Sequence, residues 1–100
     1  MSNHVQDEVF SLGHVLGRAK RVLVRTVTNY YVGVVTDFDT ATGIVALRPA
    51  VWVADTGRLN EALTKGTLKE YEELPDGIIV MLAATVDLIP WRHEIPTGAK

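Results

Sequence analysis

Between Val32 and Leu47 the chain reads V-G-V-V-T-D-F-D-T-A-T-G-I-V-A-L, two β-branched runs on either side of a polar break. This pattern predicts a β-hairpin. Gly43 supplies the positive φ that a tight five-residue connection needs, and Asp39 and Thr40 carry side chains that hydrogen-bond their own backbone. Gly33, near the start of the first run, marks a sharp bend or a close passage of another segment. Upstream, Val5, Val9, Leu12, Leu16 and Ala19 recur at helical spacing, which predicts an amphipathic helix over 5–20. Acidic Asp7 and Glu8 stand at its start, and Arg18, Lys20 and Arg21 near its end, as the helix dipole favours. The run V-L-V-R-T-V-T predicts a strand over 22–28, followed by strands over 30–38 and 44–54. Pro49 lies inside the third of these. It has no N–H to give to a ladder, so a bulge, a bend or an edge is expected there.

Beyond the third strand the pattern breaks at Asp55-Thr56-Gly57. Residues 58–65 (R-L-N-E-A-L-T-K) predict a short helix, with Leu59, Ala62 and Leu63 on one face and Gly66 ending it. The Glu- and Lys-rich stretch that follows has no clear period. Pro75-Asp76-Gly77 is a turn. Apolar runs predict a fourth strand over 78–82 and a fifth over 86–91, and residues 92–100 form a loose polar tail. The expected architecture is one mainly β domain over 1–100. An N-terminal helix precedes a small, strongly bent five-stranded barrel, with an insertion over 55–76 between strands three and four.

Composition narrows the function classes. A net charge of −2 and a pI near 5.8 argue against a generic polyphosphate binder but leave room for a local basic face. Without cysteine there are no disulfides and no thiolate metal sites. The first residues lack a signal-peptide pattern, and the longest apolar run, Ile78 to Ala84, is too short to span a bilayer. A soluble cytoplasmic protein with no membrane partner is expected.

Candidate chemistry is sparse. Arg18, Lys20, Arg21 and Arg25 form a basic cluster that could contact phosphates, or a solvated helix end. Tyr30 and Tyr31 could stack on bases, although adjacent strand residues face opposite ways and one of them is expected in the core. Trp52 and Trp91 read as packing or interface anchors. His4, His14 and His93 have no metal-ligand spacing. Asp37 with Asp39, and Glu70, Glu72 and Glu73, read as a hairpin rim and a solvated acidic stretch. There is no phosphate-cradling glycine loop and no nucleophile–base arrangement, so no catalytic residue, metal or cofactor is assigned and the chain is not read as an enzyme.

Gly33, Val35, Phe38, Asp39, Thr42, Gly43 and Ile44 fall in register on the first motif of the Sm-like (SH3-type) family of RNA-associated ring proteins. The run Val80 to Ile89 resembles its second motif in hydrophobic shape. That resemblance implies the helix-plus-barrel fold and a ring homo-oligomer, a hexamer or heptamer, in which strand four of one subunit pairs with strand five of the next. It implies interface residues Ile78, Val80, Leu82, Val86 and Leu88. The family's uridine pocket uses an Asn and an Arg where this chain has Gly43 and Ala83, whose side chains can neither read nor stack on a base. The implied function is therefore a ring that binds RNA or single-stranded nucleic acid without the uridine pocket, through Arg18, Lys20, Arg21, Arg25, Tyr30, Thr42 and Gly43. The alternative is a ring scaffold that has lost nucleic-acid binding.

Overall fold

The computed structural model describes residues 20–39 and 41–100. In chain order they form β1 (Arg21–Thr26), β2 (Tyr30–Asp39), β3 (Ile44–Asp55), helix α1 (Leu59–Lys65), β4 (Glu70–Leu74), β5 (Ile78–Met81), a 3₁₀ turn (Leu82–Ala84) and β6 (Thr85–Pro90). All six strands belong to one antiparallel sheet of order β4-β3-β2-β1-β6, with β5 also paired to β3.

The expected fold needs correction. The structure is a six-stranded antiparallel sheet and not the expected five-stranded barrel: the stretch taken as an insertion contributes β4 and α1, and among the described residues no pairing joins β6 to β4 or β5 to close the sheet. β4 pairs with β3 from Ala50↔Leu74 to Asp55↔Glu70. Its sequence, E-Y-E-E-L, hides the strand. Only Tyr71 and Leu74 pack against the cores, and the glutamates stay in water, as an edge strand allows. The helix expected over 5–20 lies outside the described residues except at Lys20, which has a left-handed φ of 52° and leads directly into β1. The tail over 92–100 is not loose either. Ile95 packs on a core cluster, and residues 98–100 bond to β4.

β3 is the centre of the architecture. One edge pairs with β2; the other pairs with β5 at Ile44–Leu47 and with β4 at Ala50–Asp55. Pro49, with no N–H, stands where the partner changes, which is the break its chemistry predicts. Gly33 on β2 lies opposite this point. A Cβ there would come within 2.7 Å of the Pro49 carbonyl oxygen and 2.9 Å of the Ala50 Cβ, so the missing side chain is what lets the two strands cross closely.

The sheet is buried on both faces. One cluster gathers Val22, Val24, Val45, Leu47, Ala50 and Val80. The other gathers Leu23, Val32, Val51, Val53 and Trp91 beneath Ala62 of α1 and Leu68. The alternation of Val22, Leu23 and Val24 between the clusters follows from the two-residue period of a strand. The unbroken apolar run of β1 is the signature of a strand covered on both sides.

The helix ends as its sequence predicts. Gly66 takes φ 73° and its N–H donates to the Ala62 carbonyl. His93 lies against the glycine: a Cβ there would meet its ring at 2.5 Å. The His93 Nε2 contacts the Leu63 carbonyl at 2.9 Å, and its ring stands edge-on to Trp91. Thus the segment after β6 clamps α1 onto the second cluster.

Candidate interaction face

The described members of the predicted nucleic-acid set lie on two parts of the sheet. Lys20, Arg21, Arg25 and Tyr30 lie along β1 and at the adjoining start of β2; Thr42 and Gly43 occupy the turn at the other end of β2. About 30 Å of β2 separates Arg25 and Tyr30 from this turn, whereas Arg21, opposite Val34, and Lys20, bonded to Val35, lie about half as far from it. Arg18 lies outside the described residues.

The two β1 arginines are engaged within the chain. Arg25 donates from Nε to Asp87 Oδ1 at 2.8 Å and from its terminal nitrogen to Asp87 Oδ2, a two-pronged bond between β1 and β6. The hydrogen bond from Arg25 holds the Asp87 carboxyl below the usual carboxylate range, and Asp87 in turn raises Arg25. Arg21 approaches Glu94 at 3.7 Å. Tyr30 packs against the second cluster, and Tyr31 against the first. Trp52 donates from Nε1 to Asn29 Oδ1 at 3.2 Å.

The β2–β3 turn is built by Asp39. Its Oδ1 accepts from the Ala41 N–H at 2.9 Å, which with Thr42 holds the carboxyl low. Gly43 has φ 71° and donates to the Asp39 carbonyl at 2.8 Å. These contacts hold the turn as its residue types predict; Thr40 lies outside the described residues.

The predicted interface residues mostly face inward. Val80 is buried, and Ile78, Leu82 and Leu88 pack on the first cluster. Val86 is the outward one, 62% exposed at a bulge where β6 gains a residue on β1. The residues that do stand outward on β5 are Ile79, 64% exposed, and Met81, 53% exposed. The signal that could have found them is the period itself: in I-I-V-M, packing Ile78 and Val80 inward sends Ile79 and Met81 out.

The cross-strand register extends this face. Met81 lies opposite Ile44 and Ile79 opposite Ala46, while Asp39 and Asp37 stand opposite Ile44 and Ala46 on the far side. Directly opposed residues share a face, so Ile44, Ala46, Ile79 and Met81 make an apolar strip rimmed by two aspartates. A cavity of about 470 Å³ adjoins it, lined by Thr36, Ala46, Leu47, Arg48, Asp76 and Ile79 among others. Among the described residues, β5 pairs only with β3 and β6 only with β1, so each has an unpaired edge. Two unpaired edges joined by one turn, with Ile79, Met81 and Val86 outward beside them, can pair with other strands through backbone and apolar contact.

No group of three or more potential metal ligands occurs among the described residues. No described helix is long and apolar enough to cross a membrane. Comparison with protein-family models, with curated proteins and with solved structures finds no match to the chain. The Sm-like resemblance thus rests on the motif residues alone.

Proposed function

We propose that this domain is a protein-interaction module that assembles with itself, edge to edge, through β5 and β6, and that it does not act mainly by holding nucleic acid. The observation that carries this reading is the exposure of Ile79, Met81 and Val86 beside two strand edges that are unpaired among the described residues. An exposed apolar edge strand templates pairing with another chain unless something covers it, and a closed symmetric assembly covers every such edge at once. The same two strands are the ones that the Sm-like resemblance pairs between subunits. The nucleic-acid alternative has weaker support, since Arg25 is bonded to Asp87 and Arg21 lies near Glu94.

The test is the mass of the chain in solution. Light scattering after size exclusion is expected to give a discrete multimer at micromolar concentration. Ile79→Asp with Val86→Asp is expected to give monomer with an unchanged circular dichroism spectrum, because neither side chain belongs to a core cluster. A parent that stays monomeric up to about 100 µM, well above the dissociation constants of specific assemblies, would overturn the reading.

A further inference from the structure

We infer that the outer edge of β4 is a docking edge for an extended, basic peptide segment of a partner protein, and that residues 98–100 form a strap occupying it in cis. One edge of β4 is spent on β3. On the other, the Tyr71 N–H donates to the Lys100 carbonyl at 2.9 Å, the Lys100 N–H returns a bond to the Tyr71 carbonyl at 2.8 Å, and the Glu73 N–H donates to the Gly98 carbonyl at 2.7 Å. Ala99 lies opposite Glu72. This is antiparallel strand addition, the geometry by which sheet edges bind peptides through main-chain bonds.

The strap is a weakly held occupant. It offers Gly98, Ala99 and Lys100, all exposed, so it brings almost no apolar burial to the edge. At Gly98 the backbone takes φ 77° and leaves the ladder; the Gly98 N–H donates to Glu73 Oε1 at 2.9 Å instead of continuing the main-chain pattern. An incoming strand with ordinary L-residues would stay extended past this point and could donate to the Glu73 carbonyl. The strap is also separable: the chain is anchored as far as Ile95 on the second core cluster, and Pro96 and Thr97 intervene.

Charge selects the partner. β4 presents exposed Glu70, Glu72 and Glu73 along this edge. Lysines spaced along an extended peptide would lie near these carboxylates and be attracted to them, whereas an acidic peptide would be repelled.

The experiment uses the full chain and a fluorescent peptide of alternating Lys and Val, with a Glu and Val peptide as counterpart. Lys100→Pro removes the donor to Tyr71, while Lys100→Gln keeps that donor and removes the charge. The Lys peptide is expected to bind the Lys100→Pro variant about fivefold more tightly than the parent, as loss of one competing hydrogen bond implies. On binding, it should slow exchange of the Tyr71 and Glu73 amides. Glu70→Lys with Glu72→Lys should transfer the preference to the Glu peptide. Equal affinity for the two peptides, no gain with Lys100→Pro, or unchanged exchange at Tyr71 and Glu73 would each overturn the inference. Monomeric variants serve equally well, so the result is independent of self-assembly.

Discussion

The Arg25–Asp87 pair decides whether the basic cluster of β1 is structural or functional, and its energetics can be worked from the geometry. The side chains are 31% and 33% exposed, so the pair is neither a free surface contact nor a dry core pair. Fully exposed pairs contribute about 0.2–1 kcal/mol, and hydrogen bonds to charged groups about 1.5–3 kcal/mol. With two aligned bonds, the coupling should lie toward the upper end of the range for exposed pairs. A double-mutant cycle with Arg25→Ala, Asp87→Ala and the double variant, read by urea unfolding at pH 7, measures it. Either single variant is expected to lower Tm by about 4–8 °C per kcal/mol in a domain of this size. The pH dependence has a defined sign. The folded carboxyl titrates below its ordinary value of 3.8, so the coupling is fully present above that pH and is lost as pH falls through the folded value. Coupling below about 0.3 kcal/mol at pH 7, within the error of independent sites, would refute the structural role. So would an Arg25→Ala variant of parental stability that had lost RNA binding; that result would return Arg25 to a nucleic-acid interface.

Other expected outcomes test the fold. Gly33→Val should destabilise by about 2 kcal/mol in urea titration, since its Cβ would come within 2.7 Å of the Pro49 carbonyl oxygen, a backbone atom that shifts only at a cost. Gly43→Ala, where a Cβ meets nothing within 4 Å, should cost only the positive-φ penalty of about 1 kcal/mol, so the two glycines should differ clearly in Tm. Trp91→Ala removes a side chain only 1% exposed and should cost about 3–5 kcal/mol by the same titration. Asp39→Asn should remove the stabilisation that the ionised carboxyl gives the turn above pH 3.8 and so flatten the acid limb of the stability profile, measured by thermal melts at stepped pH.

Local signals determined a good part of this molecule. β-Branched and apolar runs marked β1, β2, β3, β5 and β6, because such side chains fit a pleated, half-buried surface. Asp39 and Gly43 specified the turn between β2 and β3, and Gly66 the end of α1, since each acts through its own backbone. Gly33 and Pro49 were legible as a close approach and a break, though not as facing each other. Tertiary structure decided the rest. β4 carries little apolar pattern of its own and becomes a strand because the unpaired edge of β3 beyond Pro49 supplies its hydrogen bonds. Which half of β5 faces out depends on what lies beneath it: Val80 finds the cluster of Val22, Val24 and Val45, and Ile79 is left in solvent. The arginines of β1 form a basic cluster along the chain, but in space Asp87, sixty-two residues away, claims Arg25. A charge has a partner only once the chain has folded, so the sequence shows the basic cluster but not that Asp87 bonds Arg25.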